Sequence, residues 1–98
     1  MIKRIVKLTF RVAEIDTFLD IFEQSKQKIR AREGCRHVEL LQMPDAPHVM
    51  FTFSIWDDES ALESYRNSEL FRVTWAATKA LFEDKPAAWT VQLINAAV

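Results

Sequence analysis

Residues 2–33, IKRIVKLTFRVAEIDTFLDIFEQSKQKIRARE, change their apolar period part-way along. From Ile2 to Arg11 the period is two. Val6, Leu8 and Phe10 fall on one face, and Lys3, Ile5, Lys7 and Thr9 on the other, which predicts a strand with one apolar face. From Glu14 to Glu33 the spacing becomes helical. Ile15, Phe18, Leu19, Phe22 and Ile29 form a stripe with Ser25, opposite Asp20, Glu23, Lys26, Gln27 and Arg30. Lys28, Arg30 and Arg32 suit the negative end of that helix's dipole. Gly34, the only glycine, follows where a left-handed cap is easiest for a residue without Cβ.

The remaining chain continues the alternation of elements. In Arg36–Met43, Val38 and Leu40 share one face and His37, Glu39 and Leu41 the other. Pro44-Asp45-Ala46-Pro47 reads as a turn. Val49–Trp56 is a third strand, so the two strands make a hairpin. Asp57 or Asp58 can cap a helix carrying Ala61, Leu62 and Tyr65. Asn67-Ser68 interrupts it, and Ser68 can cap a further helix with Phe71, Trp75, Thr78 and Phe82 on one face. After Lys85-Pro86, Trp89, Val91 and Leu93 alternate with Thr90, Gln92 and Ile94 in a last strand. The order predicts an α+β protein, a ferredoxin-like βαββαβ sandwich with an antiparallel sheet, formed by residues 1–98 as one domain.

Phasing adds an expectation about the two faces of the sheet. The more apolar set, Val6, Leu8, Phe10, Val38, Leu40, Val49, Phe51, Phe53, Trp89, Val91 and Leu93, is expected under the helices. The reverse face then mixes Ile5, Leu41, Met50, Trp56 and Ile94 with Lys7, Thr9, His37, Glu39, Thr52, Ser54 and Gln92. Its apolar share predicts a homodimer packed sheet on sheet, with Lys7, His37 and Glu39 in a polar network inside the interface.

Composition removes several classes. Seven Phe and three Trp in 98 residues argue for a well-filled core and against disorder. A net charge of -1 with the signs interspersed offers no basic footprint for nucleic acid. No apolar run approaches the roughly 20 residues that span a bilayer, so no membrane partner is expected. Lys3, Arg4 and Lys7 interrupt the first apolar stretch, unlike a signal peptide, which points to the cytoplasm. The lone Cys35 agrees with that, and reads as a buried small residue. His37 and His48 do not form a metal constellation, and one glycine cannot build a phosphate loop.

Three segments carry a resemblance to a known family: Glu33-Gly34-Cys35-Arg36-His37-Val38-Glu39-Leu40, Phe51-Thr52-Phe53-Ser54-Ile55-Trp56, and Ala61-Leu62-Glu63-Ser64-Tyr65-Arg66-Asn67-Ser68-Glu69-Leu70-Phe71. A glycine turn, a strand ending in Trp and a helix broken at Ser before an aromatic make the chain resemble the antibiotic-biosynthesis-monooxygenase (ABM) family of dimeric α/β barrels over essentially its whole length. The resemblance implies a pocket between sheet and helices. It implies oxygenation of phenols, anthrones or quinols with no cofactor, in which a deprotonated aromatic substrate gives an electron to O2. Other members open haem, degrade a signalling aldehyde or have no known activity. Haem-degrading relatives carry an Asn, a Trp and a His where this chain has Val6, Tyr65 and Trp75, so the position of the iron ligand holds none and haem degradation is disfavoured.

The expected function is therefore that of a cofactor-independent monooxygenase acting on a small aromatic or quinol-type compound. The alternatives are a non-catalytic ligand-binding dimer and a non-oxidative enzyme of the same fold, an isomerase or an aldehyde degrader. Tyr65 and Trp75 are the candidate catalytic residues, and Phe51, Phe53, Asn67, Phe71 and Trp89 the candidate pocket lining. Core packing competes with each of these assignments. No His, Asp or Glu stands on the helix side as an obvious base, and Tyr65, with an ordinary pKa near 10, is the only titratable candidate there.

Overall fold

The computed structural model describes residues 1–97. The elements are β1 (Ile2–Thr9), α1 (Ile15–Arg30), β2 (Cys35–Met43), β3 (Ala46–Trp56), α2 (Glu59–Arg66), α3 (Glu69–Lys79) and β4 (Ala87–Val91), with a 3-10 turn at Val12–Glu14 leading into α1. The four strands form one antiparallel sheet in the order β2-β3-β1-β4, and the helices cover one of its faces. This is the ferredoxin-like α+β arrangement. No helix among the described residues is long and apolar enough to cross a membrane.

The helix boundaries follow from side chains that satisfy otherwise orphaned N–H groups. Asp58 accepts a 2.8 Å hydrogen bond from the Ala61 amide at the start of α2. Ser68 Oγ accepts from the Phe71 amide at 3.1 Å and donates to the Tyr65 carbonyl at 2.6 Å, so one hydroxyl closes α2 and opens α3. β4 ends at Val91, which pairs with Lys3, close to where β1 itself begins. Leu93 and Ile94 lie beyond it and are exposed, against the expectation of a longer strand.

The β2–β3 hairpin sets the face of every residue in β3. Met43 pairs with Ala46 around a two-residue turn, so an unbroken ladder would pair Gln42 with Pro47. Gln42 pairs instead with Met50, three residues further on. An odd shift turns a strand over, because its side chains alternate faces. Met50, Thr52, Ser54 and Trp56 therefore share the helix side with Val6, Leu8, Val38 and Leu40. Val49, Phe51, Phe53 and Ile55 turn to the reverse face, which corrects the expected phase of this strand. β4 is corrected too: Val6 pairs with Ala88 and Ile5 with Trp89, so Ala88 faces the helices and Trp89 faces away.

The core is built in two parts. Leu8, Phe10, Phe18, Met50 and Leu81 pack at one end, with Phe10 and Phe18 stacked at a centroid distance of 4.3 Å. Ile29, Cys35, Trp56 and Leu62 pack at the other. Burial of each large side chain stabilises the fold by about 1.5–3 kcal/mol. The second cluster depends on Gly34. Its φ is 81°, and a Cβ there would lie 2.5 Å from Ala61 Cβ on α2. Its carbonyl accepts from the Asp57 amide at 2.8 Å, and Asp57 forms a two-pronged ion pair with Arg36 at 2.6 and 2.9 Å. Gly34→Ala is expected to cost about 1–3 kcal/mol, because it adds left-handed backbone strain to a steric overlap. Urea unfolding measures this, and an unchanged midpoint would contradict it.

Candidate functional site

Between the two core clusters lies a cavity of about 320 Å³. Its floor is the helix side of the sheet, with Val6 and Leu8 from β1, Val38 from β2, and Thr52, Ser54 and Trp56 from β3. α1 contributes Phe18, Ile21, Phe22, Ser25 and Ile29 to the opposite wall. α2 and α3 contribute Leu62, Tyr65, Phe71, Thr74 and Trp75. Arg4 and Arg66 complete the lining, and Pro86–Ala88 close it beside β4.

The aromatic wall is continuous. Trp56 stacks on Tyr65 at 5.1 Å, Phe71 meets Tyr65 edge-on at 5.2 Å, and Phe71 stacks on Trp75 at 5.9 Å. Such spacings lie in the favourable range for ring pairs and present flat π surfaces to the space between them. Most of the nearby hydroxyls are spoken for. Ser25 donates to the Ile21 carbonyl and Thr78 to the Thr74 carbonyl, both at 2.8 Å, which returns them to their own helices. Ser54 Oγ accepts from Trp56 Nε1 at 3.0 Å, which fixes the indole. The Tyr65 hydroxyl makes no hydrogen bond to the described residues and is not sealed off, since every fully buried side-chain polar atom among them has a partner.

Among the described residues, no carboxylate or imidazole lines the cavity. Burial pushes the Tyr65 pKa up to about 12, with nearby Cys35 adding to the rise and Arg32 opposing it. At neutral pH Tyr65 is therefore a hydrogen-bond donor and not a base. Burial likewise raises the Cys35 thiol, which removes it as a nucleophile.

Of the sequence-derived candidates, Tyr65, Phe71 and Trp75 come together on this wall. Phe51, Phe53 and Trp89 do not, because the register of β3 and β4 sends them to the reverse face. Asn67 is exposed at the C-terminus of α2, outside the cavity. On the reverse face His37 Nε2 lies 3.5 Å from Glu39 Oε2. Lys7 stands apart from them within one chain, since Phe53 and Ile55 of β3 occupy the positions beside Glu39 and His37. Among the lining residues that sequence reasoning missed are Arg4, Arg66, Thr52, Ser54, Thr74 and Trp56. Arg4 was accessible from parity with Val6 and Leu8; the β3 residues required knowledge of the register shift. Among the described residues, no three His, Cys, Asp or Glu side chains gather as a metal site.

Tyr65 is the chain's single tyrosine, so tyrosinate absorbance reports it alone. The expected midpoint is about 12 in the native protein and about 10 in denaturant. The folded state holds this proton more tightly. Its contribution to stability is thus complete below pH of about 10 and is lost as pH rises to about 12. Tyr65→Phe should flatten that part of the stability profile, and a native midpoint near 10 would refute the assignment.

The structure resembles several solved proteins. A crystal structure of an antibiotic biosynthesis monooxygenase superposes with a TM-score of 0.91 at 19% identity, covering 97% of this chain and 100% of that one. A conserved protein of Methanosarcina mazei gives 0.89 at 15% identity, covering 93% of this chain and 90% of that one. A Pseudomonas aeruginosa protein gives 0.85 at 20% identity, covering 96% and 94%. At these identities the likeness speaks for the fold. No curated protein matches the sequence significantly. The family model for antibiotic biosynthesis monooxygenase matches residues 1–77, the segment that supplies the aromatic wall, the arginines and most of the sheet floor, and the chain belongs to that family.

Proposed function

We propose that the protein is a cofactor-independent oxygenase of a small, flat aromatic or quinol-type compound. The observation that carries this reading is the cavity itself: about 320 Å³, walled by Trp56, Tyr65, Phe71 and Trp75. Stacked rings suit a planar substrate, and a dry wall favours electron transfer from a substrate anion over hydrolysis of the products. For an anthrone-like ring the balance is simple. The activated CH2 loses a proton, the carbanion passes an electron to O2, and the radicals combine as a peroxide. Loss of water then leaves one oxygen in a new carbonyl. Tyr65 donates a hydrogen bond to the substrate oxygen, and Trp75 holds the ring plane.

The lack of a carboxylate or imidazole in the lining also favours a second reading, a ligand-binding protein without turnover. O2 uptake with a panel of hydroquinones and anthrones, against enzyme-free autoxidation, separates the two. Uptake that scales with protein is expected, and Tyr65→Phe and Trp75→Ala should each lower it by about ten- to a hundredfold. Unchanged rates in both variants would place the chemistry elsewhere. No uptake across the panel would favour binding alone.

The same reading includes a homodimer closed through the reverse face of the sheet. Two adjacent rows there, Leu41-Phe51 and Phe53-Ile5-Trp89, bring apolar side chains side by side, and in the next row Ile55 and Val91 flank Lys3. Trp89 is 48% exposed and Leu41 47% in the single chain, which is costly for a contiguous apolar patch in water. Sedimentation should give a dimer at micromolar concentration. Trp89→Lys, a change at an exposed position, should give a folded monomer. A native monomer would overturn this part of the proposal.

A further inference from the structure

The cavity holds one cation that has no carboxylate partner among the described residues. Arg4 lies on β1, an inner strand, and the register places it between Ser54 of β3 and Thr90 of β4 on the helix side. Its Nη1 donates to Thr90 Oγ1 at 2.8 Å. The other arginines are anchored more strongly. Arg36, Arg66 and Arg72 pair with Asp57, Glu63 and Glu69. Arg11, Arg30 and Arg32 donate to backbone carbonyls. Among the described residues, Arg4 alone has a neutral hydroxyl as its only hydrogen-bond partner and no carboxylate within ion-pair distance.

The charges facing it sharpen the point. On α2 stand Arg66 and Glu63, which engage each other at 2.9 Å. β3 and β4 offer Ser54 and Thr90, both uncharged. The cavity edge is therefore left with an excess positive charge. Burial, and then repulsion from Arg66, lower the Arg4 pKa, with Glu63 partly opposing. A guanidinium remains charged through such a shift, so its free donors stay available to an anion. A guanidinium is also a planar fork suited to carboxylate, enolate or phenolate oxygens.

We propose that Arg4 selects the ligand, by binding an ionised oxygen of a flat aromatic molecule seated against Trp56, Tyr65 and Trp75. This deepens the reading of the cavity as the substrate site, on which it rests. Thr90 positions the guanidinium from one side and leaves its remaining N–H donors for the ligand. Arg4 thereby replaces the absent base in part: it favours the ionised form of an acidic substrate without itself taking a proton.

Anaerobic binding tests this independently of O2 chemistry. Two probes are used, 4-nitrophenol, whose visible absorption reports its ionisation, and 2-naphthoate compared with neutral 2-naphthamide. With the native protein, bound 4-nitrophenol should ionise at least about one pH unit lower than free, which is a roughly tenfold preference for the phenolate. Alternatively or additionally, naphthoate should bind at least about tenfold more tightly than naphthamide. The first result assigns Arg4 to the reacting oxygen and the second to a remote acid group, and either supports the proposal. Arg4→Met should abolish the preference and spare naphthamide binding, whereas Arg72→Met, an equal change of net charge at an exposed ion pair, should keep it. Absence of any anion preference, absence of binding, or a preference that survives Arg4→Met would overturn the proposal. If Arg4→Met does not fold, Thr90→Val serves in its place and should weaken the preference. Anion binding without O2 uptake would sink the oxygenase reading and leave this one standing.

Discussion

Between Met43 and Gln42 the β2–β3 ladder slips by three residues on β3 relative to a regular ladder, and that odd slip decides what each face of the sheet can do. With an unbroken ladder, Val49, Phe51 and Phe53 would stand under the helices beside Val38 and Leu40, and the interior would fill with branched and aromatic side chains. The shift puts Met50, Thr52, Ser54 and Trp56 there instead. Thr52 and Ser54 are too small to meet the helices across the centre of the layer, so the packing opens between them and α1. The two large residues at the ends, Met50 and Trp56, belong to different core clusters and remain fully buried. The cavity thus follows from a backbone register before any ligand is considered.

A cavity of this size removes dispersion contacts from its lining and lowers stability relative to a filled core. Its polar groups show how the fold limits the loss. Ser25 and Thr78 turn their hydroxyls back onto helix carbonyls, and Ser54 is engaged by the Trp56 indole, so little hydrogen-bonding capacity is stranded. Among the donors left for a ligand are the Tyr65 hydroxyl and the partly exposed Arg4 guanidinium. A ligand that engages them in the folded state alone would raise stability.

Much of the fold was legible because periodicity is a strong signal where a face is buried continuously. β1 and α1 changed from period two to helical spacing, Gly34 ended the helix with a positive φ, and Ser68 opened the third helix as its side chain demanded. The cavity wall formed by Tyr65, Phe71 and Trp75 was legible for the same reason: three residues on helices whose apolar stripe had been identified. Phe51, Phe53 and Trp89 were misplaced by a reasonable rule, that the more apolar set of a strand faces the core. The rule fails here because both faces of β3 are apolar in part. Only the ladder, through its irregularity near Met43, distinguishes them, and a bulge has no side-chain signature of its own. Leu93 and Ile94 kept the alternation of a strand but had run past the start of β1, so no backbone partner was available.

The electrostatics of the site constrain any chemistry more than its shape does. A general base for an aromatic substrate must sit within hydrogen-bond reach of the proton and have a pKa near neutrality. Tyr65 fails the second need, since burial holds its proton to a pH of about 12, and no carboxylate or imidazole among the described residues shares the wall. An environment that raises the pKa of a phenol would also resist ionisation of a phenolic substrate, unless a positive charge compensates. Arg4 and the pair Arg66–Glu63 leave such a charge at one edge of the cavity. The two effects oppose each other across the same space: the aromatic wall disfavours an anion at its centre and the arginine edge favours it. On the proposed reading, a substrate would place its ionised oxygen at the arginine edge, within reach of the Tyr65 hydroxyl as well, and its proton would pass to water there.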